Sequence, residues 1–384
     1  MPILPSQRPL FEIPRDIAYF NCAYYSPQLN ESRDRLLAGV KAKSSPWQRL
    51  PPSFFEDAEA LRGRWARLFG GDADGYAVVP AASYALNTAA RAVEPRLKPG
   101  DQILMIAEDF PSNVLSWRRT AHETGATIAT VATPADRNWT NVILAAIDSR
   151  TRVVAVPTCH WTNGARIDLE PIGEACRKKG SILVIDATQT LGAMPFSMAR
   201  VQPDFLAAAS YKWQLGPYGV CLLYVSKAWR TARPLEESWL ARDNAGDFTS
   251  LANYSDNYME GARRFDVGEK GCLTTLPGAI AALEQIEAWG IENIADTLAA
   301  TNRRISAHLT KLGCRVPEER VRCPHMFGAV LPPSHTGNLV AEMRKRNIYI
   351  SQRGHSLRFA PHLWVDDHDV ERLTEALDEL LGQS

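Results

Sequence analysis

The chain has 384 residues, of which 45% are hydrophobic and 22% are charged, and its 43 basic side chains balance 43 acidic ones. This length is too great for one small core and indicates two domains. A balanced charge provides no overall field that would favour nucleic acid or an anionic membrane as a partner. The longest apolar runs, such as Gly219–Val225, are far too short to span a membrane.

The cysteines and the N-terminus bear on the cellular compartment. Seven cysteines occur without paired spacing, and the first ten residues lack the apolar core of a signal peptide. Both features predict a cytoplasmic protein with reduced thiols. The chain contains no CxxC or HExxH motif, so we predict no metal site.

Short apolar runs alternate with amphipathic stretches from about residue 76 to residue 225. This alternation predicts an α/β fold with a mainly parallel sheet that helices cover on both faces. The last run, Gly219–Val225, follows its predecessor too closely for a crossover helix. The other strands are predicted at Ala77–Val79, Gln102–Ile106, Thr127–Val131, Arg152–Pro157, Ser181–Ile185 and Phe205–Ala209. The helices between them are predicted at Ser83–Val93, Asn113–Thr124, Asn141–Ile147 and Leu169–Lys179.

Further elements are predicted on either side of this region. A helix at Ser53–Phe69 leads into it. The later elements are helices at Gly278–Trp289, Ile291–Leu312 and Asp367–Leu381 and strands at Phe327–Leu331 and Ile348–Ser351. We therefore predict an N-terminal segment (1–18) that packs on a small domain, a large domain (19–260), and a linking helix with a small C-terminal α/β domain (261–384).

A lysine and an aspartate follow two of the predicted parallel strands. Lys212 ends the segment that begins at Phe205, and Asp186 ends the one that begins at Ser181. A lysine amine condenses with the aldehyde of pyridoxal phosphate, and a carboxylate keeps the pyridine nitrogen protonated, so that the ring accepts electrons. The pair therefore predicts this cofactor. The alternative is an exposed lysine and an aspartate that caps a turn.

Three motifs resemble the class V aminotransferase family of fold-type I pyridoxal phosphate enzymes, which includes kynureninase, cysteine desulfurases and isopenicillin N epimerase. They are Asp186-Ala-Thr-Gln189, Ser210-Tyr-Lys-Trp213 and Gly216-Pro-Tyr-Gly219. The resemblance extends from Tyr19 to the segment around Arg358. It implies a large domain with a seven-stranded type of sheet, a smaller C-terminal domain, and a homodimer with the active site at the interface.

The resemblance also implies roles for individual residues at the cofactor. Lys212 would form the Schiff base and later move the substrate α-proton, and Asp186 would hold the pyridine nitrogen. Gln189 would donate to the phenolic oxygen, and Phe110 would stack on the ring unless it is a plain core residue. The phosphate would be bound by backbone N–H groups of Ala82 and Ser83 at a helix N-terminus, by the hydroxyls of Ser210 and Tyr211, and by Thr275 of a neighbouring subunit.

Arg358, in Ser356-Leu-Arg-Phe-Ala-Pro-His362, matches the family arginine that binds the substrate carboxylate. A guanidinium pairs with a carboxylate through two parallel hydrogen bonds, so this match implies an amino-acid substrate. The alternative is an arginine in a surface salt bridge. We expect the remaining pocket residues to be Asn21, Ala23, Tyr24, His160 and Asn163, with Trp161 beside them.

The predicted activity is that of an aminotransferase that acts on an amino acid through an external aldimine. A Cβ or Cγ lyase, resembling kynureninase or a C–S lyase, and an epimerase are alternatives on the same scaffold. Ile350–Leu357 contains no cysteine, which disfavours sulfur transfer through an enzyme persulfide. A cofactor-binding regulator without turnover is a different class of hypothesis. A nicotinamide-dependent dehydrogenase is disfavoured because no GxGxxG follows a predicted strand.

Overall fold

The computed structural model describes residues 3–333, 335 and 337–382, so the predicted segments 1–18 and 261–384 lie partly outside it. Strands and helices are numbered in chain order. The strands are β1 (Ala18–Tyr19), β2 (Tyr76–Val79), β3 (Gln102–Ile106), β4 (Thr127–Val131), β5 (Thr151–Pro157), β6 (Ile182–Asp186), β7 (Phe205–Ala209), β8 (Cys221–Val225), β9 (Phe327–Ala329), β10 (Ile348–Tyr349), β11 (Ser351–Arg353) and β12 (Ser356–Phe359). The helices are α1 (Asn30–Ala42), α2 (Glu56–Phe69), α3 (Ala82–Val93), α4 (Pro111–Thr124), α5 (Trp139–Ala146), α6 (Leu169–Lys179), α7 (Met198–Val201), α8 (Leu276–Trp289), α9 (Ile291–Lys311), α10 (Leu339–Lys345) and α11 (Asp367–Leu381).

A seven-stranded sheet forms the centre of the molecule, in the order β2-β8-β7-β6-β5-β3-β4. The strands from β3 to β7 pair in parallel, whereas β8 runs antiparallel to both of its neighbours. The α/β fold class and the mainly parallel sheet are therefore confirmed. The strand expected to join without a crossover helix is β8, which begins at Cys221 and is inserted between β7 and β2.

Both faces of this sheet are buried. In β7, Phe205 and Ala207 belong to one apolar cluster, and Leu206 and Ala208 belong to another on the opposite face. Successive side chains of a strand point to opposite faces, so helices on both sides require a strand that is apolar throughout. This requirement explains why the strands appear in the sequence as continuous apolar runs. Each fully buried leucine or phenylalanine contributes about 1.5–3 kcal/mol.

The C-terminal strands form two small sheets. In the first, β1 pairs in parallel with β10, and in the second β12 lies between β11 and β9 in an antiparallel arrangement. The single strand predicted at Ile348–Ser351 was therefore wrong, because its two halves have different partners. The sequence reasoning also missed α1, α7 and α10 and the short strands β1 and β12. Apart from α1, which has 13 residues, these elements carry too few residues for a clear period.

Most element boundaries lie within three residues of the prediction. The helix expected to begin at Ser53 begins at Glu56, because Pro51–Phe54 forms a 3-10 turn before it. Residues before β1 contact the C-terminal part of the chain, where Arg8 forms an ion pair with Asp369 at 2.7 Å. The domain boundaries at residues 19 and 261 stay predictions. None of the described helices is long and apolar enough to cross a membrane.

Candidate active site

A cavity of about 210 Å³ lies at the edge of the central sheet where the parallel strands end. In an open α/β sheet this carboxyl edge is the usual place for a ligand. The residues around it come from the segments that follow five strands. They are Ala82 and Ser83 after β2, Asp109 and Phe110 after β3, Cys159 after β5, Asp186, Thr188 and Gln189 at the end of β6, and Tyr211 and Lys212 after β7.

Lys212 lines this cavity and is only 6% exposed. Burial lowers the pKa of its amine to about 8, although the nearby charge of Asp186 acts in the opposite direction. The interpretation of Lys212 as a solvent-exposed lysine is therefore wrong. A lowered pKa leaves a larger fraction of the amine uncharged at neutral pH, and the uncharged amine is the nucleophile.

A tight turn between β7 and β8 positions Lys212. Leu215 has a φ of 55°, in the left-handed region, and its N–H donates to the carbonyl of Lys212 at 3.2 Å. Ser210 closes the turn, since its hydroxyl lies 2.9 Å from the Pro217 carbonyl and 2.8 Å from the Val220 carbonyl. The expectation that Ser210 faces the cofactor phosphate is therefore corrected, because its hydroxyl proton is donated to a backbone carbonyl of its own loop.

Asp186 and Gln189 are both buried beside Lys212. Asp186 Oδ1 accepts a hydrogen bond from the Thr188 N–H at 2.9 Å. Gln189 is held from two sides, because Trp213 Nε1 donates to its Oε1 at 3.0 Å and its Nε2 donates to the Ala23 carbonyl at 3.1 Å. An indole N–H can only donate, so Trp213 fixes the amide orientation and leaves Nε2 as the donor at the cavity.

The N-terminus of α3 reaches the same cavity through Ala82 and Ser83. The cap residue of this helix is Ala81, and no side chain in the described residues caps it. Ser83 lies inside the first turn of the helix. The first N–H groups of a helix have no acceptor within the helix, so this end offers free donors and a positive dipole to an anion.

Phe110 forms one wall of the cavity, and its ring centroid lies 5.6 Å from Lys212 Nζ. Trp161 packs against Phe110 edge-on, at 5.5 Å between ring centroids. The adjacent Asp109 is buried, which raises the pKa of its carboxyl group to about 7. Its two oxygens accept hydrogen bonds from the Phe110 N–H at 2.7 Å and the Asn113 amide at 2.8 Å. Asp109 therefore holds the segment that carries Phe110.

A second cavity, of about 370 Å³, adjoins the first. The residues that line both cavities are Phe110, Trp161, Gln189, Tyr211, Lys212 and Tyr218. The other walls of the second cavity come from distant parts of the chain: Ala23, Tyr24 and Tyr25 near the N-terminus, and Arg353 and Arg358 from the β11–β12 hairpin.

Arg358 is 1% exposed and only partly satisfied by the protein. Its Nε donates to Ser351 Oγ at 3.2 Å, and its Nη1 donates to the Trp161 carbonyl at 2.8 Å. Its Nη2 is buried without a partner among the described residues. A buried unpaired donor is costly, and burial together with the charge of Arg353 lowers the pKa of Arg358. The alternative of a surface salt bridge is therefore wrong, and a bound carboxylate would satisfy the free donor.

Four other predicted residues lie elsewhere. His160 stacks on Trp139 at 5.4 Å, and its Nε2 lies 3.2 Å from the Ala107 carbonyl. Asn163 Oδ1 accepts from the Ala165 N–H at 2.9 Å. Neither lines the two cavities, and Trp161 takes that position instead. Asn21 lines an adjoining groove, and Thr275 lies at the N-terminus of α8, outside both cavities.

Several cavity residues escaped the sequence reasoning. Thr188 lies inside the Asp-Ala-Thr-Gln motif and Asp109 precedes Phe110, so both had a visible signal in their neighbours. Tyr218 lies inside the Gly216-Pro-Tyr-Gly219 motif and had the same kind of signal. Arg353 had none, because only the tertiary fold brings its segment to the cavity. A group of potential metal ligands, Asp366, His368 and Asp369, lies at the start of α11, where arginines already pair with both acids.

Comparisons with known proteins agree with this geometry. Residues 44–369 match the family described as class-V aminotransferases. An uncharacterized aminotransferase from Bacillus subtilis, YcbU, is 26% identical over 89% of this chain and 87% of its own length. Isopenicillin N epimerase from Streptomyces clavuligerus is 25% identical over 88% of this chain and 86% of its own length.

Among solved structures, the apo cysteine desulfurase of Thermococcus onnurineus is similar over the full length of both chains, with a TM-score of 0.85 and 19% identity. At this identity the likeness shows the fold alone. The family match covers most of the chain, including both strand ends that carry Asp186 and Lys212. The chain therefore belongs to the class V aminotransferase family, whose cofactor is pyridoxal phosphate.

Proposed function

We propose that this enzyme is an aminotransferase that binds pyridoxal phosphate covalently on Lys212 and an amino acid on Arg358. The observation that carries the proposal is that two adjoining cavities share one buried amine. Lys212 lines both of them, with Asp186 in the first and the incompletely paired Arg358 in the second. A carboxylate held by Arg358 lies in the same cavity as the amine, so the α-carbon of an amino acid is brought close to Lys212.

The residues of the first cavity fit the cofactor. Asp186 would hold the pyridine nitrogen, Gln189 would donate to the phenolic oxygen, and Phe110 would cover the ring. The uncapped N-terminus of α3, at Ala82 and Ser83, would bind the phosphate, with Tyr211 beside it. When bound, the cofactor supplies a conjugated ring that stabilises negative charge at the substrate α-carbon and accepts its amino group.

Lys212 is the group best suited to move a proton in this site. The pKa of its amine is about 8, whereas burial raises the pKa of Tyr211 to about 12. The pKa of Asp109 is about 7, but both of its oxygens already accept hydrogen bonds. A single base can move the proton that transamination requires. Epimerisation delivers a proton to the opposite face of the α-carbon, which favours a second donor.

The cysteines argue against a desulfurase that works through an enzyme persulfide. Cys22 and Cys159 lie close to Lys212 or Arg358, but both are buried. Burial raises the pKa of Cys22 well above the ordinary range, and a hydrogen bond with Cys323 together with burial does the same for Cys159. The β11–β12 hairpin, which borders the second cavity through Arg353, contains no thiol. A persulfide acceptor needs an accessible thiolate, so this site favours transfer of the amino group.

The predicted homodimer is part of the same proposal. Thr275 is half-buried at the N-terminus of α8, outside the cavity of its own chain, where it is free to reach the phosphate of a second subunit. Size-exclusion chromatography with light scattering measures the mass directly. An active species with the mass of one chain would contradict the dimer without affecting the assignment of Lys212.

The function is tested with the purified wild type, Lys212→Ala and the control Lys227→Ala, which removes an exposed lysine. We expect a visible absorption band of the bound cofactor in the wild type and the control but not in Lys212→Ala. We also expect one class of amino acids to convert the cofactor of the wild type to its amino form, with release of the matching keto acid. A band that persists while pyruvate and ammonia accumulate would indicate a lyase instead.

A further inference from the structure

We propose that Arg353 binds an anionic group on the side chain of the substrate, so that the enzyme prefers acidic amino acids. This inference rests on the proposed function, in which Arg358 takes the α-carboxylate. It deepens that proposal by assigning a second subsite to a residue outside the predicted set. The geometry of the β11–β12 hairpin, the charges around it and the shape of the shared cavity support the assignment.

The hairpin places both arginines on one face. Ser351 lies opposite Arg358 in the antiparallel register, and Arg353 is two residues further along β11. Side chains two residues apart in a strand point to the same side, so Arg353 shares a face with Ser351 and therefore with Arg358. Diagonal neighbours across such a pair are separated by about 7–8 Å, which one small substrate can span. Both guanidinium groups line the cavity that contains Lys212.

Arg353 has no acidic partner in the described part of the chain. Its Nη1 donates to the neighbouring Gln352 carbonyl at 2.8 Å, and its guanidinium lies 5.9 Å from the centroid of Trp161. The residues around the two cavities that Arg353 borders include no aspartate or glutamate among the described ones. By contrast, the nearby Arg346 pairs with Glu379 at 3.2 Å.

The cavity therefore carries an excess of positive charge. Lys212, Arg353 and Arg358 line it together, and the charge of Arg353 acts on both other groups. Asp186 faces the first cavity, where the cofactor requires it. A single α-carboxylate compensates Arg358 and leaves Arg353 unpaired. A substrate with a second anionic group, such as a carboxylate or a sulfur oxyacid, pairs with both arginines through charge-assisted hydrogen bonds.

The remaining walls of the subsite suit a short acidic side chain. Trp161 and Tyr24 contribute aromatic surface to the cavity, and Tyr24 is 59% exposed. Trp161 contacts both arginines, Arg353 through its ring and Arg358 through its carbonyl. Arg353 itself is half-buried and borders both this cavity and the adjoining groove, so an entering ligand can reach it. A guanidinium presents its donors in a planar fork, which matches a carboxylate better than a neutral amide.

The experiment titrates the holoenzyme with aspartate and glutamate and with their neutral isosteres asparagine and glutamine, following the visible absorption of the cofactor. We expect the wild type to bind the acidic member of each pair on the order of tenfold more tightly. Arg353→Gln should lose that preference while retaining its affinity for the amides. Arg353→Lys should restore part of it, and Arg118→Gln, at an exposed arginine on α4, should behave as the wild type.

Two outcomes would overturn the inference. The first is a wild type that binds amides and acids equally, and the second is a preference for acids that survives in Arg353→Gln. Either result would leave the proposed function intact, because neutral amino acids would still change the cofactor spectrum. A wild type that responds to no amino acid would contradict the proposed function as well. An unchanged cofactor band and melting temperature in each variant show that the fold is preserved.

Discussion

The two ends of the active-site cavity are built in different ways. The end proposed for the cofactor consists largely of residues at or just beyond the ends of parallel strands, such as Asp186 at the end of β6 and Lys212 shortly after β7. The end proposed for the substrate combines Ala23, Trp161 and Arg358, which are widely separated in sequence. The first end is an edge of the sheet, whereas the second is assembled by tertiary contacts between loops and the C-terminal hairpin.

The two ends also differ in how firmly the protein itself holds their side chains. At the cofactor end, buried side chains hold one another, as Trp213 holds Gln189 and Gln189 holds the backbone at Ala23. At the substrate end, Arg358 retains a free donor and Arg353 has no acidic partner among the described residues. The unsatisfied groups lie where a ligand of variable structure binds. We therefore expect changes at the two ends to have separable effects on cofactor and substrate.

The largest expected effect is a loss of substrate affinity in Arg358→Gln. Removing one partner of a buried charged pair costs about 2–5 kcal/mol, which corresponds to at least a thirtyfold fall in kcat/KM. The cofactor should remain bound with an unchanged visible band, because Arg358 lines the second cavity and not the first. Steady-state kinetics with the preferred amino acid measure the effect. A loss of cofactor in this variant would contradict the separation of the two ends.

The next effect is a pH dependence of stability in the cofactor-free protein. The amine of Lys212 has a pKa of about 8 in the folded state against 10.5 as the ordinary value. Between these values the unfolded chain binds more protons, so the free energy of unfolding rises with pH. Relative to Lys212→Met, the wild type should gain about 2 kcal/mol between pH 7 and pH 9.5.

Denaturant unfolding of both proteins across this range measures the difference. Groups that titrate equally in the two proteins cancel in the comparison. Parallel curves for the wild type and Lys212→Met would mean that the amine is not desolvated in the fold. That result would mean that the amine of Lys212 is as accessible to water as that of an exposed lysine such as Lys227.

The smallest expected effect concerns the support of Gln189. In Trp213→Phe the amide loses the donor that fixes its orientation, and one such hydrogen bond is worth about 0.5–1.5 kcal/mol. We expect the affinity for the cofactor to fall several-fold with little change in the KM for substrate. Trp229→Phe is the matched control, since its indole donates to Asp204 at 2.8 Å away from both cavities. Equal effects of the two substitutions would show only a general loss of packing.

The sequence brought most residues of the first cavity together for a physical reason. Apolar runs such as Phe205–Ala209 define strands, and parallel strands bring their carboxyl ends to one edge, so Lys212 and Asp186 could be placed together without coordinates. Ser210 was misplaced there because its hydroxyl can bond either to a ligand or to its own loop. Only the geometry of the turn, with Gly216 packed against Ser210, decides between the two.

The substrate end was predicted less well. Arg358 was identified through a motif, whereas His160 and Asn163 were expected at the cavity beside Trp161, and of these three only Trp161 lines it. In the fold, the ring of His160 stacks on Trp139, and the next residue, Trp161, lines the cavity. The direction in which the side chain of a loop residue points depends on tertiary packing, and no periodic pattern in the sequence reveals it. Arg353 was missed for the same reason.

The central claim is that Lys212 carries the cofactor at the carboxyl edge of the sheet. The most direct measurement is reduction of the purified holoenzyme with borohydride, followed by proteolysis and mass spectrometry of the peptides. We predict that the mass of the reduced cofactor is found on the peptide that contains Lys212 and is absent from Lys212→Ala. The same mass on a different lysine, or on none in a protein loaded with pyridoxal phosphate, would contradict the account.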